Sequence, residues 1–167
     1  NKENAAKTQH TAITVLVHSD QYANWIFDPT HPTQGRRFIN ARNQFVELMN
    51  QENASFTEVE PRLATRQELE RVHSPVYLDE VLTSHVSSQW SGERPDLAIL
   101  ASTFVGGTLV ALDALLNEKA RTAIHFPGSK HHAQYDYSSG FCIFNDFAIA
   151  TDIATKDYGL KVAILDI

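Results

Sequence analysis

The chain has 167 residues and a formal net charge of −6, because it carries 14 lysines and arginines against 20 aspartates and glutamates. That length is enough for one domain with its own hydrophobic core and short for two. A hydrophobic content of 43 % and a mean hydropathy of −0.28 exclude disordered and collagen-like chains. The negative charge argues against nucleic acid as a direct partner, since broad nucleic-acid binding needs a basic surface.

The cysteine content and the lack of long apolar runs indicate a cytoplasmic protein. Cys142 is the single cysteine, which excludes an internal disulfide framework and fits a reducing compartment. Residues 1–10 are polar and mixed in charge, so we expect a flexible tail there and neither a signal peptide nor an anchor. No run approaches about 18–20 consecutive apolar residues, so no membrane partner is expected. Residues 11–167 then belong to a single domain, of which they form the N-terminal part.

In chain order, the sequence pattern alternates strands with helices. Short β-branched or apolar runs predict strands at residues 13–17, 55–60, 122–126 and 161–167. Helical spacing of apolar residues predicts helices at residues 37–51, 65–72, 74–86, 96–116 and 145–157. Thr65 and Glu68 form a capping-box signal, and Ser74-Pro75 is a typical helix start. The alternation, with a continuously apolar last strand, indicates a three-layer α/β/α sandwich around a parallel sheet.

Two adjacent glycines, Gly106 and Gly107, interrupt the helix predicted for residues 96–116. A glycine in a helix interior costs about 1 kcal/mol relative to alanine, so their presence needs a reason. Close packing of this helix on the sheet is the preferred interpretation. A hinge or the close approach of a ligand is the alternative.

Two adjacent histidines, His131 and His132, follow the strand predicted for residues 122–126 and lie in a polar loop. Ligand sites in open α/β sheets lie at this carboxyl edge of the strands. Imidazole titrates near neutral pH, so two rings that flank one cavity can give and take protons. On these residues alone the signal is weak, because adjacent histidines also occur in metal-binding and structural loops.

Asp166 places a carboxylate inside the apolar run 161–167. A buried carboxylate needs a partner, and an imidazole N–H is a natural one, because the carboxylate orients the ring and makes it more basic. The alternative is an aspartate at a strand end that faces water or caps a turn.

Other polar residues are assigned structural roles. Cys142 is interpreted as a small packing thiol, His73 as a helix-junction residue and His125 as a buried, hydrogen-bonded strand residue. Asn145 and Asp146 are expected to cap the helix that follows them rather than to contact a substrate.

A set of short segments, taken together, has the pattern of a known protein family. One is Arg71–Leu78, with the sequence RVHSPVYL, and the others are His31-Pro32 with Arg37, Gly106–Ala111, His131–Ala133, Gly140–Cys142, Asn145-Asp146 and Ala163–Ile167. In this order they resemble the N-terminal half of the zinc-dependent histone deacetylase family, which has RVHSPEYI at the first of them, and above all its bacterial acetoin-utilisation-type members. The resemblance implies an arginase/deacetylase-like fold, of which this chain holds an incomplete part.

The resemblance also implies a reaction, the hydrolysis of N-acetyl amides such as acetyl-lysine with Zn²⁺ as cofactor. It assigns His132 as general base toward water and then as general acid toward the leaving amine. His131 would be its electrostatic partner, held by Asp166.

The same resemblance implies a substrate site. Phe141 would form one wall of a narrow tunnel around the aliphatic stem of the substrate, and the carbonyl of Gly140 would accept the substrate amide N–H. Arg37 matches a position near an internal channel for acetate release.

The family's zinc ligands follow an Asp-x-Asp-x-His pattern, in which Asp166 matches the first aspartate, itself not a ligand. The first ligand would come directly after Ile167, so we expect no metal ligand within this chain and an inactive chain in isolation. A structural monovalent cation near Asp166 is compatible with the resemblance. Three explanations stay open: the chain is part of a longer protein, a partner chain supplies the second half, or a fragment has refolded differently.

The alternative function is a non-catalytic acyl-lysine-binding module that keeps the tunnel wall and lacks the metal. A nucleotide-binding α/β domain fits poorly, because no glycine-rich phosphate loop opens a helix after a strand. Acetylated proteins and small acetylated amines need the same core chemistry, so the sequence leaves the choice between them open. It also leaves open whether the chain forms a homo-oligomer.

Overall fold

A central parallel sheet organises the fold. The computed structural model describes residues 13–167, so the tail predicted for residues 1–10 lies outside the described residues. The strands are β1 Thr14–Val17, β2 Thr57–Val59 and β3 Thr122–Ile124, and they form a parallel sheet in the order β2-β1-β3. Val15 of β1 is in register with Thr57 on one side and with Ala123 on the other. The predicted α/β class with a parallel sheet is confirmed.

The helices occur where the apolar spacing predicts them. They are α1 Arg36–Gln51, α2 Arg66–Leu69, α3 Pro75–Leu82, α4 Pro95–Leu116 and α5 Asp146–Asp152. A 3₁₀ turn, Asp20–Asn24, follows β1, and a π-helical turn, Ile153–Asp157, extends α5. Along the chain, α1 thus connects β1 to β2, and α2, α3 and α4 follow one another between β2 and β3.

The predicted helix starts at Thr65 and Ser74 are confirmed. The Thr65 hydroxyl accepts the Glu68 N–H at 3.2 Å, and the Glu68 carboxylate accepts the Thr65 N–H at 2.7 Å, which completes the capping box. The Ser74 hydroxyl accepts the Tyr77 N–H at 3.1 Å. Helices α2 and α3 end earlier than predicted. After α3, His85 adopts a φ of +58°, a left-handed conformation that stops the helical path.

Helix α4 is the core helix of the fold. It contacts β1, β3, α3 and α5, and Leu97, Phe104 and Leu109 on it are at most 1 % exposed. By length and composition alone α4 is also apolar enough to cross a membrane, but half of its most apolar stretch is buried inside the fold. Buried core helices meet the same criteria, so its composition is explained by packing.

The paired glycines of α4 mark two close approaches. A Cβ built on Gly106 would lie 1.8 Å from the carbonyl oxygen of Arg62, and one built on Gly107 would lie 2.3 Å from Nε2 of His125. Close packing is therefore the reason for both glycines. The surface that Gly106 meets is the segment before α2 rather than the sheet, which corrects the predicted partner.

The strand predicted for residues 161–167 is wrong. This segment has no regular secondary structure and pairs with no strand among the described residues, and Leu165 is 85 % exposed. Val162 to Leu165 instead lie along an apolar groove of about 310 Å³ between α4 and α5. An apolar run becomes a strand only when its backbone pairs with that of a neighbouring strand, and the sheet of residues 13–167 contains β1, β2 and β3 without this segment.

Two histidines are held neutral inside the fold. His73 is 1 % exposed, and its Nε2 accepts the Asn145 N–H at 3.0 Å while its Nδ1 faces the Tyr135 carbonyl at 3.4 Å. Burial lowers the pKa of His73. Burial lowers the pKa of His125 to about 3, and the charges of Lys130 and His18 add to that shift. The structural roles predicted for both histidines agree with these contacts, although His125 lies just beyond the end of β3.

We expect Gly106→Ala to lower the free energy of unfolding by about 1–3 kcal/mol, although alanine is the better helix former, because its Cβ would overlap the Arg62 carbonyl. Chemical denaturation measures this. Thr103→Ala, on the same helix and partly exposed, is the control and should change the free energy of unfolding by only a few tenths of a kcal/mol. Equal stability of both variants would contradict the close approach.

We expect stability to fall with acidification. A histidine with a lowered pKa stays neutral when folded but takes up a proton when unfolded below about pH 6.5, so its contribution is present above that pH and is lost as the pH falls. For His125 the loss between pH 7 and pH 5 is about 2 kcal/mol. Urea titrations at both pH values measure the free energy of unfolding, and its loss between pH 7 and pH 5 should be about 2 kcal/mol smaller in His125→Asn than in the unmodified chain. An equal loss in both proteins would contradict a neutral His125.

Candidate active site

The long loop between β3 and α5 carries the predicted site residues. It leaves the carboxyl end of β3, the edge at which α/β folds bind ligands. His131 and His132 are both exposed, and their ring centroids lie 4.3 Å apart with the planes at 78°. The two rings thus meet edge to face and open onto solvent in the described chain.

Asp166 contacts the first of these histidines. Its Oδ2 lies within hydrogen-bond distance of His131 Nδ1, across 35 positions of sequence. This contact places the proton of a neutral His131 on Nδ1 and leaves Nε2 free as an acceptor. The side chains are 37 % and 54 % exposed, so solvent screens the pair. The structure therefore brings together the two residues for which a partnership was predicted.

His132 packs on the backbone of Gly140. A Cβ at Gly140 would lie 2.7 Å from Cγ and Cδ2 of the His132 ring, and Gly140 has a φ of +53°. Both the space and the backbone conformation require glycine at this position. Gly140 thus sets how closely the second histidine approaches the turn that follows.

That turn is a tight reversal. The N–H groups of Ser139 and Cys142 each donate to the other's carbonyl, at 3.1 and 2.8 Å. Gly140 and Phe141 between them both have positive φ, as a type I′ turn requires. For a bulky residue such as Phe141, with a φ of +64°, this conformation is strained by about 1–2 kcal/mol. Such strain clusters at functional sites, where it aims a side chain.

The strained turn directs the Phe141 ring against a second aromatic group. Its centroid lies 4.6 Å from that of His31 and 6.0 Å from that of Phe27, while 43 % of Phe141 stays exposed. Gln89 accepts the Phe141 N–H at 2.8 Å. We call Phe141, His31 and Phe27 the aromatic wall. It joins the turn to the early loop that precedes α1.

Tyr77 of α3 anchors both ends of the turn. Its hydroxyl donates to the carbonyl of Ile143 at 2.6 Å and lies 2.5 Å from Oγ of Ser138. Ser87 donates to the same Ser138 oxygen at 3.0 Å. Burial raises the pKa of Tyr77, which keeps the phenol neutral as a donor. A rigid helix thus holds the turn that presents Phe141.

The cysteine inside the turn behaves as a packing residue. Cys142 is 5 % exposed, and its thiol donates to the Gly140 carbonyl at 3.4 Å. Burial raises the pKa of the thiol, which disfavours the nucleophilic thiolate. The carbonyl of Gly140 retains a second lone pair for another donor.

Arg37 is not brought to the histidine pair. It is exposed in the first turn of α1, and its guanidinium makes no hydrogen bond or ion pair within residues 13–167. Lys130 directly precedes His131 in the chain, and its Nζ lies 5.0 Å and 5.3 Å from the ring centroids of Phe104 and Phe38. Burial lowers the pKa of Lys130, and the charge of Arg37 adds to that effect.

A metal centre does not form from the described residues alone. Within residues 13–167, no three His, Cys, Asp or Glu side chains are grouped so that they could hold a metal ion. A zinc ion at the histidine pair would therefore need ligands from outside this part of the chain.

Sequence reasoning missed residues that position the site. Asp146 was expected to cap α5, but the cap is Asn145, whose side chain accepts the Ala148 N–H at 3.0 Å. The Asp146 carboxylate instead binds backbone N–H groups of the histidine loop. Asp and Asn are both common at helix starts, so the sequence alone does not tell which of the two caps the helix and which accepts N–H groups from a loop.

The aromatic wall had one signal in the sequence. It was the His31-Pro32 segment, which is part of the family resemblance.

We expect Phe141→Gly to be more stable than Phe141→Ala by about 1 kcal/mol, because both remove the ring and only glycine adopts a positive φ without strain. At an ordinary φ the order is reversed. Denaturant melts of the two variants measure the difference. Greater stability of the alanine variant would show that the turn does not hold this conformation in solution.

Comparison with known proteins identifies the family. The chain matches the family model for the histone deacetylase domain over residues 28–167. It is 31 % identical over 173 residues to the acetoin utilization protein AcuC of Staphylococcus aureus (strain MRSA252), in an alignment that covers 95 % of this chain and 43 % of the relative. AcuC of Bacillus subtilis (strain 168) is 28 % identical over 166 residues, with 92 % and 42 % covered. Histone deacetylase 8 of Xenopus laevis is 30 % identical over 103 residues, with 53 % and 31 % covered.

These matches confirm the resemblance that the short segments indicated. The chain spans less than half the length of the curated relatives it matches, 43 % of the first of them. The family model, in contrast, covers most of this chain. The chain therefore belongs to the histone deacetylase family.

Proposed function

We propose that this chain is the N-terminal half of a zinc-dependent deacetylase that hydrolyses N-acetyl amides such as acetyl-lysine. The observation that carries the proposal is the contact between His131 and Asp166 beside His132, at the carboxyl edge of the sheet. Membership of the histone deacetylase family supports it. Zinc would need ligands from outside residues 13–167, because within this range the side chains do not form a three-ligand group.

The histidine pair would handle protons. His132 takes a proton from the attacking water as general base and returns it to the leaving amine as general acid. The carboxylate of Asp166 orients the His131 ring beside it. The edge-to-face contact of the two rings places this oriented imidazole directly against His132, as an electrostatic partner.

The aromatic wall would hold the substrate. The stem of acetyl-lysine is a four-carbon chain, and the exposed face of Phe141 offers apolar surface for it. The Gly140 carbonyl would accept the substrate amide N–H, next to the thiol hydrogen bond it already accepts. Arg37 would lie near the acetate exit, a role that rests on the family pattern.

Three further properties belong to the same proposal. The protein acts in the cytoplasm, in keeping with the buried free thiol of Cys142. Its substrate is an acetylated lysine of a protein or a small acetylated amine, both of which present the same stem and amide. A structural monovalent cation would lie near Asp166.

A non-catalytic acyl-lysine-binding module is the alternative function. It is favoured by the combination of an assembled aromatic wall with the lack of a three-ligand group among residues 13–167. Such a module would bind acetyl-lysine peptides without hydrolysing them and would be insensitive to a zinc chelator.

We expect His132→Ala, in the complete domain that joins this chain to its C-terminal half, to lower kcat on an acetyl-lysine peptide by about 10²–10⁴-fold and to leave bound zinc unchanged. Steady-state kinetics and elemental analysis measure both. His85→Asn is the control, since the His85 ring makes no hydrogen bond within the described residues and asparagine tolerates its positive φ.

Two outcomes would overturn parts of this account. A complete domain with metal that hydrolyses neither acetyl-lysine peptides nor acetylated polyamines, yet binds them in the presence of chelator, would establish the binding module. Loss of zinc from His132→Ala would make His132 a metal ligand rather than a base.

A further inference from the structure

One buried carboxylate holds the loop that carries the histidine pair. Asp146, at the first position of α5, is 0 % exposed. Its Oδ1 accepts the Lys130 N–H at 2.8 Å, and its Oδ2 accepts the Ser129 N–H at 3.2 Å. These two amides directly precede His131 and His132. The backbone is also close here, since a Cβ at Gly128 would lie 3.2 Å from Oδ2.

The third hydrogen bond to Asp146 extends into a chain of side chains. The hydroxyl of Thr108, on α4, donates to Oδ2 at 2.7 Å. A hydroxyl has a single hydrogen, so Thr108 can only accept toward Nδ1 of His125, at 2.9 Å. His125 must therefore carry its proton on Nδ1, and its bare Nε2 accepts the Tyr22 hydroxyl at 2.8 Å.

The charge of Asp146 thus orders the whole series. Hydrogen bonds run in one direction from Tyr22 through His125 and Thr108 to the carboxylate. The neutral state of each member agrees with this order, because burial raises the pKa of Tyr22 and lowers that of His125. The series links the 3₁₀ turn after β1, the end of β3, α4 and α5 to one loop.

We propose that Asp146 is a positioning residue for the His131–His132 loop, and that through Thr108 it also holds His125 in the Nδ1–H tautomer. The catalytic consequence rests on the proposed function. A loop displaced by about 1 Å can cost a catalytic step about 10²-fold. The structural claim concerns this chain alone and can be tested without activity.

The tautomer test uses ¹⁵N NMR of the histidine rings in the 167-residue chain. The unmodified chain and Thr108→Ser should show His125 protonated at Nδ1, because serine keeps the hydroxyl. Thr108→Val removes the acceptor for that proton, so His125 should switch to the Nε2–H tautomer and donate to Tyr22. An Nε2–H tautomer in the unmodified chain, or no change in Thr108→Val, would overturn the ordering by Asp146.

The positioning test uses amide hydrogen exchange. In the unmodified chain the Lys130 amide should exchange at least about tenfold more slowly than that of Asp136, an exposed residue of the same loop without a backbone partner among the described residues. Asp146→Asn should remove that protection from Lys130 or Ser129, because an amide side chain offers one acceptor oxygen instead of two. Thr108→Val should leave it intact.

A control and a kinetic readout complete the design. Asp113→Asn, exposed on α4, should leave both the loop amides and the His125 tautomer unchanged. In the complete domain Asp146→Asn should lower kcat about 100-fold with little change in KM. An unprotected Lys130 amide in the unmodified chain would overturn the proposal even if Asp146→Asn fails to fold. Protected amides in a domain without activity would instead count against the proposed function.

Discussion

The hydrogen bonds of Asp146 to the Ser129 and Lys130 amides are the constraint on which the rest of the site depends. A loop of this length has little regular structure of its own, and loops that carry chemistry need a rigid scaffold to hold them. A fully buried carboxylate is costly unless each oxygen has partners, and here three donors satisfy it. Stability and site geometry therefore depend on the same group.

The second fixed point is the turn at Gly140 and Phe141. Tyr77 of α3 holds the residues on both sides of this turn, and the turn keeps Phe141 in a strained conformation with positive φ. The strain is tolerated because the anchors over-determine the backbone. The result is that the His132 ring packs on Gly140, while the next residue, Phe141, contacts His31 of the aromatic wall.

Much of the fold could be predicted because its signals are local. The capping box at Thr65, the Ser74-Pro75 start and the β-branched run at Thr14–Val17 each specify an element within a few residues. The structure of segment 161–167 could not be predicted, because a strand needs a neighbouring strand to pair with, and the apolar run itself does not encode one. Asp166 contacts an imidazole, as expected, but its side chain is 54 % exposed, so the need of a buried carboxylate for a partner does not explain the contact. The role of Asp146 was missed because the local pattern of a helix cap hides a tertiary contact.

We propose that this chain holds the proton-handling part of a deacetylase site, while zinc ligands come from outside residues 13–167. The experiment that separates the two parts is the zinc content of the purified 167-residue chain, by elemental analysis after dialysis against trace zinc. We expect negligible zinc on the chain alone and stoichiometric zinc once the C-terminal half is joined to it. A tightly held, stoichiometric zinc on the chain alone would overturn the proposal, because His131, His132 and Asp166 would then have to be reassigned as ligands.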